Sequence, residues 1–296
     1  MKSRKVVSIL GALVMSVSIL SGCGSNENAA TAGSEATGGT AAVSTEGTQS
    51  AEAASQTDEA MVFTVGFDAE FPPYGYRDEN GEYVGFDLDL AAEVCNRNGW
   101  ELVKQPIDWD AKDMELSSGT ISCIWNGFTM NGREDQYTFT EPYIDNSQVF
   151  VVAGDAGIAN KEDLAGKVVA VQKDSSALAA LNEEENAGLK DSFSQLIEYA
   201  DYNTAFMDLE QGAVDAVALD IGVAQYQVSG RDEGAFVILE GDSNKLATEQ
   251  YAVGFLLGNT ELRDKVQATL DEMAADGTFL EIAKKWGVDG SICIGK

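Results

Sequence analysis

The chain has 296 residues, with 19 lysine and arginine residues against 49 aspartate and glutamate residues and no histidine. Its formal charge of −30 excludes nucleic acid as a partner, because contact with a phosphate backbone depends on clustered basic side chains. The absence of histidine excludes a Ser-His-Asp triad, a Cys-His nucleophile pair and every histidine-containing zinc site.

The first 22 residues have the pattern of a bacterial secretion signal. Lys2, Arg4 and Lys5 form a positive start, and an almost uncharged apolar run follows over 6–20. This run is shorter than the roughly 20 residues that cross a bilayer, so the pattern favours a signal over a membrane-spanning helix. The sequence Leu20-Ser21-Gly22-Cys23 resembles a bacterial lipobox, which implies cleavage before Cys23 and attachment of a lipid to its thiol.

Residues 23–60 predict a disordered acidic tether. Between 24 and 59 the chain consists mainly of small, polar and acidic residues, with no lysine, arginine or aromatic residue. Such a segment buries too little apolar area to offset the entropy of an ordered chain. With a lipid on Cys23, we expect the tether to hold a folded domain, beginning near Met61, at the extracellular face of the cytoplasmic membrane of a Gram-positive bacterium.

From Met61 onward, strand-like apolar runs alternate with helical patterns. We predict strands over 62–66, 121–125, 148–152, 167–171, near Ile197, over 214–219 and over 251–257. We predict helices over 87–96, 109–116, from Ser175, and over 203–211, 221–228, 260–275 and 278–286. This alternation is typical of an α/β fold, and the runs at 148–152 and 251–257 fit two lobes joined by two crossing strands.

The cysteines that remain once Cys23 is assigned to the lipid are Cys95, Cys123 and Cys293. Their spacings are long and no CxxC pair occurs, so neither a metal site nor a redox motif is indicated. Cys95 and Cys123 lie among apolar neighbours in a predicted helix and a predicted strand, so we expect them to be buried free thiols. A disulfide between two of the three cysteines stays open in an exported protein.

Short motifs occur in order between residues 61 and 289: VGFDAEFPPY at 65–74, GFDLDL at 85–90, WNGFTMNGR at 125–133, FTEPY at 139–143 and VDAVALD at 214–220. Together they resemble the polar-amino-acid-binding proteins of ABC importers, which are extracellular solute-binding proteins of family 3. The resemblance implies an α/β, bilobed fold of the type II periplasmic-binding-protein class. In that fold, 61–150 and 254–296 would form lobe 1, and 151–253 would form lobe 2.

The same resemblance implies a binding function. We expect reversible capture of a free polar amino acid and its delivery to an ABC permease in the membrane. We also expect a monomer that is not an enzyme and that holds no cofactor or metal.

A free amino acid is a zwitterion, so a selective site needs a cation for the carboxylate and an anion for the ammonium group. Arg133 is the only lysine or arginine between Lys112 and Lys161, and its planar guanidinium suits a carboxylate. The resemblance assigns Arg133 to the ligand carboxylate. The alternative is a surface ion pair with one of three acids close in sequence, Glu134, Asp135 or Glu141.

Asp174-Ser175-Ser176 lies between a predicted strand and a predicted helix. A helix N-terminus presents free N–H groups to an anion, and the resemblance places a small hydroxyl residue here. Ser175 and Ser176 are therefore further candidates for the ligand carboxylate. Ordinary capping of the helix by Asp174 or Ser175 is the alternative.

Asp220 closes an apolar strand at its carboxyl end, where ligands collect in open α/β sheets. It is the candidate for the ligand ammonium group, and Thr129 with the main-chain carbonyls of Asn126 and Gly127 would complete that site. The alternative is N-capping of the helix predicted over 221–228.

The ligand side chain is expected to meet Asp68, Glu70, Phe71, Tyr74 and Trp125. Aromatic faces sandwich apolar or cationic groups, and carboxylates accept hydrogen bonds from an amide or ammonium group. A polar ligand side chain is implied. For the aromatic residues, packing in the core or in the cleft wall is the alternative.

Two other functions stay open at this point. One is a dehydratase for a prephenate-type acid, an activity known in similar bilobed proteins, which needs an acid to protonate a leaving hydroxyl group. Asp220 as an ammonium partner argues against prephenate, though not against its amino derivative. The other is a sensor or adhesive lipoprotein without a permease, which adjacency to permease and ATPase genes would distinguish.

Overall fold

The computed structural model describes residues 60–295. The predicted secretion signal (1–22), the lipidation residue Cys23 and nearly all of the predicted tether (23–60) lie outside these residues. Within the described range, no helix has the length and apolar character needed to cross a membrane.

Strands and helices alternate along the chain, as the sequence pattern predicts. In chain order, the strands are β1 (Val62–Phe67), β2 (Glu70–Phe71), β3 (Gly75–Arg77), β4 (Tyr83–Val84), β5 (Glu101–Pro106), β6 (Cys123–Ile124), β7 (Tyr137–Phe139), β8 (Ile144–Ala153), β9 (Val168–Gln172), β10 (Gln195–Tyr199), β11 (Ala216–Asp220), β12 (Phe236–Ile238), β13 (Ala247–Tyr251) and β14 (Gly254–Leu256). The α-helices are α1 (Phe86–Asn98), α2 (Lys112–Ser118), α3 (Ser176–Asn182), α4 (Ala187–Ser192), α5 (Tyr202–Glu210), α6 (Ile221–Ser229), α7 (Thr260–Asp276) and α8 (Thr278–Trp286).

The first lobe is built on a five-stranded sheet with the order β5-β1-β6-β14-β7. β1 is parallel to β5 and β6, whereas β14 runs antiparallel to β6 and β7. Helices α1 and α7 pack against this sheet, and α8 packs against both of these helices. The short strands β2, β3 and β4 form a separate small sheet directly after β1.

The second lobe is built on a six-stranded sheet in which β10-β9-β11-β8-β12 lie side by side and β13 also pairs with β8. β9, β10 and β11 are parallel, and β8 is antiparallel to β11. Every residue of β11 is buried, as expected for a strand with both faces covered by other elements. The carboxyl end of this strand carries Asp220, so the sheet delivers that residue to the edge where the lobes meet.

The chain crosses between the two sheets twice. It leaves the first sheet after Phe139 and enters the second at Ile144, and it returns between Tyr251 and Gly254. The strand predicted over 251–257 is therefore wrong as one element. Tyr251 pairs with β8, whereas Gly254 pairs with β6 and β7. The two residues between them carry the chain from one sheet to the other.

Most other predicted elements are confirmed within two residues of their ends. The strand predicted at 62–66 is Val62–Phe67, the helix predicted at 260–275 is Thr260–Asp276, and the helix at 278–286 is confirmed at both ends. The helix predicted over 109–116 begins instead as a 3-10 turn, Trp109–Ala111, before α2.

Cys95 and Cys123 are buried free thiols, as predicted. Burial raises the pKa of the Cys95 thiol to about 11, so this thiol is poorly suited to act as a nucleophile. These two cysteines belong to the packing of the first lobe.

Candidate functional site

The two lobes meet around a small cavity. Its lining consists of Phe71, Trp109, Asn126 and Gly127 from the first lobe and Gln172, Ser175, Ser176 and Asp220 from the second. All but Trp109 and Gln172 are residues that the sequence predicts for the site. A wider groove of about 710 Å³ shares Trp109 with this cavity and contains Asp68 and Glu70.

Asp220 is buried at the end of β11, and three donors hold its side chain. Its Oδ1 accepts hydrogen bonds from Asn146 Nδ2 and Gln148 Nε2, both at 2.7 Å, and from the Tyr251 hydroxyl at 2.6 Å. Although Asp220 stands at the start of α6, its side chain makes no capping hydrogen bond. Burial, and then the charge of Glu249, raises the pKa of Asp220 to about 7.

Glu249 is a second buried carboxylate here, and sequence reasoning missed it. Its Oε1 accepts hydrogen bonds from Thr129 Oγ1, Asn146 Nδ2 and Gln148 Nε2, each at 2.7 Å. Strand alternation in β13 puts Glu249 on the same face as the fully buried Tyr251. That alternation is the signal by which the sequence could have identified it.

Arg133 is half-buried in the loop before β7. Its Nη1 donates to the Thr129 carbonyl at 3.1 Å and to Ser176 Oγ at 3.3 Å, and its Cζ lies 5.1 Å from the centre of the Phe128 ring. It is not part of the small cavity's lining but borders an adjoining space with Thr129 and Ser176. Within residues 60–295 it makes none of the three ion pairs considered as its alternative role, those with Glu134, Asp135 and Glu141.

The turn between β9 and α3 carries the two predicted serines. Ser175 is buried and caps α3, accepting a hydrogen bond from the Leu178 N–H at 3.2 Å. Ser176 Oγ is the group that accepts from Arg133. Asp174 has a φ of 56°, and it is the only non-glycine residue with a left-handed backbone among residues 60–295.

The loop after β6 carries Asn126 and Gly127, and hydrogen bonds from both sides hold it. Asn126 Oδ1 accepts from the Asp68 N–H at 3.0 Å, and the Gly127 N–H donates to Asp87 Oδ2 at 2.6 Å. Asp87, which sequence reasoning did not select, also accepts from the Tyr143 hydroxyl at 2.9 Å. Its complete burial raises its pKa to about 7.

Asp68 and Glu70, predicted for the side-chain pocket, both contact the second lobe. Asp68 accepts hydrogen bonds from Gln172 Nε2 at 2.6 Å and from the Glu70 N–H at 2.8 Å. Burial raises the pKa of Asp68 to about 6. Glu70 is bonded to Asn203, and burial followed by the charge of Asp201 raises its pKa.

The aromatic residues predicted for the same pocket divide into two positions. Phe71 lines the small cavity, whereas Tyr74 and Trp125 are buried in the adjoining core. The Phe71 ring lies 5.8 Å from that of Tyr74 and 6.0 Å from that of Tyr202, measured between centres. The Tyr74 hydroxyl lies against Gly222 at the start of α6, where a Cβ atom would come within 2.3 Å of it.

Two ion pairs join the lobes beside the cavity. Lys112 and Asp110 of the first lobe pair with Asp174 and Lys173 of the second, respectively. Lys112 is buried, although its partner is half exposed. With the hydrogen bonds of Asp68 and Glu70 to the second lobe, these contacts define a closed arrangement of the two lobes.

Comparison with known proteins places the chain among binding proteins. Residues 63–289 match the family model described as bacterial extracellular solute-binding proteins, family 3. The L-cystine-binding protein TcyJ of Escherichia coli strain K12 is 28% identical over 75% of this chain and 81% of that relative. The arginine-binding extracellular protein ArtP of Bacillus subtilis strain 168 is 28% identical over 75% of this chain and 84% of that relative.

Solved structures of similar fold carry bound amino acids. A substrate-binding protein of an ABC uptake transporter from Streptococcus pneumoniae, with bound histidine, is 34% identical with a TM-score of 0.73, covering 78% of this chain and 94% of its own. An ancestral arginine-binding protein bound to glutamine is 33% identical with a TM-score of 0.69, covering 77% of this chain and 98% of its own.

Proposed function

Because this chain belongs to the bacterial extracellular solute-binding proteins of family 3, we propose that it is the substrate-binding protein of an ABC importer. It captures a free polar amino acid outside the cell and delivers it to the membrane permease. Its fold is the bilobed type II periplasmic-binding-protein fold. Proteins of this family bind and release a solute without changing it, and the chain is not an enzyme.

The observation that carries this proposal is the buried carboxylate of Asp220 in a cavity lined by both lobes. Its position at the carboxyl end of β11 suits the ligand ammonium group, which needs an anion where water is excluded. Thr129 and the carbonyls of Asn126 and Gly127 complete this half of the site. A prephenate-type acid carries no ammonium group, so this arrangement supports an amino acid over the substrate of a dehydratase.

The ligand carboxylate is assigned to Arg133, Ser175 and Ser176. Arg133 Nη1 and Ser176 Oγ lie 3.3 Å apart and come from opposite lobes, so one carboxylate can contact both. The guanidinium has no carboxylate partner in the described part of the chain, which leaves its charge available. A ligand held in this way would bridge the two lobes.

The ligand side chain is assigned to a pocket of Asp68, Glu70 and Phe71, and the predicted Tyr74 and Trp125 lie in the core next to it. Phe71 supplies an aromatic wall to the cavity, and Asp68 and Glu70 carry acceptors in the adjoining groove. Carboxylates in that position favour a side chain with N–H donors. The pocket therefore supports a polar ligand side chain.

The export and anchoring of the domain are further parts of this proposal. We assign residues 1–22 to a signal with a lipobox and 23–60 to a lipidated tether. The lobe boundary predicted at 150 moves back to the crossing between Phe139 and Ile144, because β8 lies wholly in the second sheet, while the predicted return to lobe 1 at 254 is kept. The protein is a monomer, anchored through Cys23 at the outer face of the cytoplasmic membrane of a Gram-positive cell. Mass spectrometry of the protein from membranes would detect the lipid, and Cys23→Ser would release the protein into the medium.

A thermal-shift screen of the protein against the twenty amino acids tests the binding function. A solute that binds only the folded state adds about 4 kcal/mol at a thousandfold excess over its dissociation constant, which raises the melting temperature. We expect a shift with one or a few polar amino acids, and its loss in Asp220→Asn. The absence of a shift with every amino acid would contradict the proposal. Adjacent genes for a permease and an ATPase would separate an importer from a sensor.

A further inference from the structure

Asp220 and Glu249 approach each other because they flank the same strand from its two sides. Along one edge of β8, Gln148 lies opposite Asp220 in β11, and along the other edge Asn146 lies opposite Glu249 in β13. Asn146 and Gln148 are two residues apart, so their side chains share one face of the strand. The two amide groups therefore stand between the two acids.

Hydrogen bonds from these amides join the two carboxylates into one unit. The Nδ2 group of Asn146 donates to both Asp220 Oδ1 and Glu249 Oε1, and the Nε2 group of Gln148 does the same, with all four distances at 2.7 Å. The opposite amide oxygens, Oδ1 and Oε1, are buried without a partner in the described part of the chain. Leaving two buried acceptors unpaired is unfavourable, so the amide orientation reflects the demand of the carboxylates for donors.

The surroundings of the pair contain little positive charge. The hydroxyls of Tyr74, Tyr202 and Tyr251 face it, and burial keeps them protonated at neutral pH. Lys245 and Asp145 border an outer space together with Glu249, where Lys245 is paired with Asp242. The guanidinium of Arg133 donates to Thr129 and Ser176 rather than to either acid. When two buried carboxylates share hydrogen-bond donors and no cation lies beside them, ionising both costs considerable free energy.

We propose that Asp220 and Glu249 together form the ammonium site, and that they share one proton, which leaves for solvent when the ammonium group of the amino acid binds. This inference rests on the proposed function and adds to it a second anionic residue and a proton exchange. The bound ammonium keeps its own three protons, and no covalent bond forms or breaks in the ligand. The positive charge of the ligand replaces that of the released proton.

The exchange makes affinity depend on pH in one direction. Burial, and then the charge of Glu249, raises the pKa of Asp220 in the free protein, and a bound ammonium group lowers it. Protons therefore compete with the ligand, and affinity increases with pH by up to about tenfold per unit below neutrality before it levels off. Glu249 thus sets the pH range in which capture is strongest.

Isothermal titration calorimetry with L-arginine and L-glutamine tests the exchange, because neither side chain titrates near neutral pH. Both amino acids are named with the similar solved structures. Titrations in two buffers of different ionisation enthalpy count the protons released. We expect close to one proton at about pH 6 and close to none at about pH 8. Clear binding without proton release at the lower pH would overturn the inference while leaving the proposed function intact.

Glu249→Gln isolates the second carboxylate, and Glu101→Gln is its matched control. Glu101 is an exposed acid at the start of β5 in the first lobe, so its replacement changes the net charge equally but away from the Asp220–Glu249 pair. We expect Glu249→Gln to abolish the proton release and flatten the pH dependence, and Glu101→Gln to retain both. Unchanged proton release in a folded Glu249→Gln protein would overturn the inference.

Carbon-13 NMR of the aspartate carboxyl groups provides a test that needs neither ligand nor a stable variant. In the ligand-free wild-type protein, the Asp220 resonance is expected to titrate near neutral pH. A titration at the ordinary aspartate pKa of about 4 would overturn the inference even if neither amino acid bound. Failure of all twenty amino acids in the thermal screen would instead overturn the proposed function.

Discussion

Asp220 and Arg133 are placed in opposite environments, although both are assigned to the poles of one zwitterion. Asp220 is buried and its Oδ1 accepts from three donors, whereas Arg133 is half-buried and bonded only to a carbonyl and a hydroxyl within residues 60–295. A buried acid with rigid donors is preorganised for one point of contact. An arginine without an acid partner keeps its charge and most of its N–H groups for the ligand.

Replacement of either pole should weaken binding strongly without unfolding the protein. Arg133→Lys retains the charge but loses the planar fork, and Asp220→Asn retains the shape but loses the charge. We expect each to cost about 2 to 5 kcal/mol of binding free energy, because a partly desolvated charge of the ligand loses its partner. Calorimetry with an amino acid from the thermal screen measures this. Near-native affinity in either variant would remove that residue from the site.

The residues that sequence reasoning missed show where its rules were applied too narrowly. The rule that selected Asp220, the carboxyl end of a parallel strand, also applies to Gln172 at the end of β9, and Gln172 lines the cavity. Trp109 and Asp87 carry no comparable pattern. Their roles depend on contacts between segments distant in sequence, such as the bond from the Gly127 N–H to Asp87, which one sequence does not reveal.

At the scale of elements, the closed arrangement depends on two short segments with complementary charges. The segment 109–112 contributes Asp110 and Lys112, and the turn before α3 contributes Lys173 and Asp174. Asp174 occupies a left-handed backbone conformation that favours glycine, so an aspartate is conformationally disfavoured at this position. The ion pair to Lys112 is a physical reason for an acid at that position.

Lys112→Met should loosen the closed state while preserving the fold. Methionine can occupy the same buried space beside Trp109, but it removes the ion pair to Asp174. We expect the amino acid to dissociate roughly two- to fivefold faster, since the closed state loses one ion pair between the lobes whose acid is half exposed. Stopped-flow tryptophan fluorescence measures this rate. Lys265→Met on α7, which breaks a surface pair with Glu261, serves as control and should leave the rate unchanged.

The ends of helices and strands were predicted correctly where the local sequence determines them, and incorrectly where they depend on which strands pair. Glycine at the end of a helical pattern marks the true ends of α1, α2 and α8, where Gly99, Gly119 and Gly287 take the left-handed conformation. The run 251–257 is apolar throughout, but its two halves pair in different sheets. Apolar character alone does not specify which strand is the partner.

For the whole molecule, buried carboxyl groups determine how stability varies with pH. The raised pKa values of Asp87 and Asp220, each about 7, mean that the folded state keeps protons which the unfolded chain has lost. Stability of the ligand-free protein should therefore fall as pH rises from about 4 to about 7. Repulsion within a chain of formal charge −30 acts in the same direction.

Urea unfolding of the ligand-free protein across this range measures the effect. The midpoint should be highest near about pH 4 and lower at about pH 7, and it should fall again in stronger acid. The loss in stronger acid follows from acids whose pKa is lowered in the folded state, such as Asp276, at about 2. A midpoint that increases steadily up to neutral pH would contradict this assignment of buried acids.

Closure of the lobes should follow ligand binding. Closing the empty cleft brings Asp68 and Glu70 towards the Asp220–Glu249 pair without the positive charge of a ligand. A bound amino acid supplies that charge and bridges the lobes. We expect small-angle scattering to show a smaller radius of gyration at saturation with an amino acid from the screen. An equal radius in both states would leave closure on binding without support.

The contact of Gly222 with the Tyr74 hydroxyl lets affinity be adjusted separately from selectivity. Any side chain at 222 would collide with that hydroxyl, and so lower the fraction of molecules able to close. The measured dissociation constant rises in inverse proportion to this fraction. Alanine, valine and phenylalanine at 222 would therefore give a graded series of weaker binders that rank the amino acids as the parent protein does. Such a series would suit engineered biosensors that must respond over different concentration ranges of one solute.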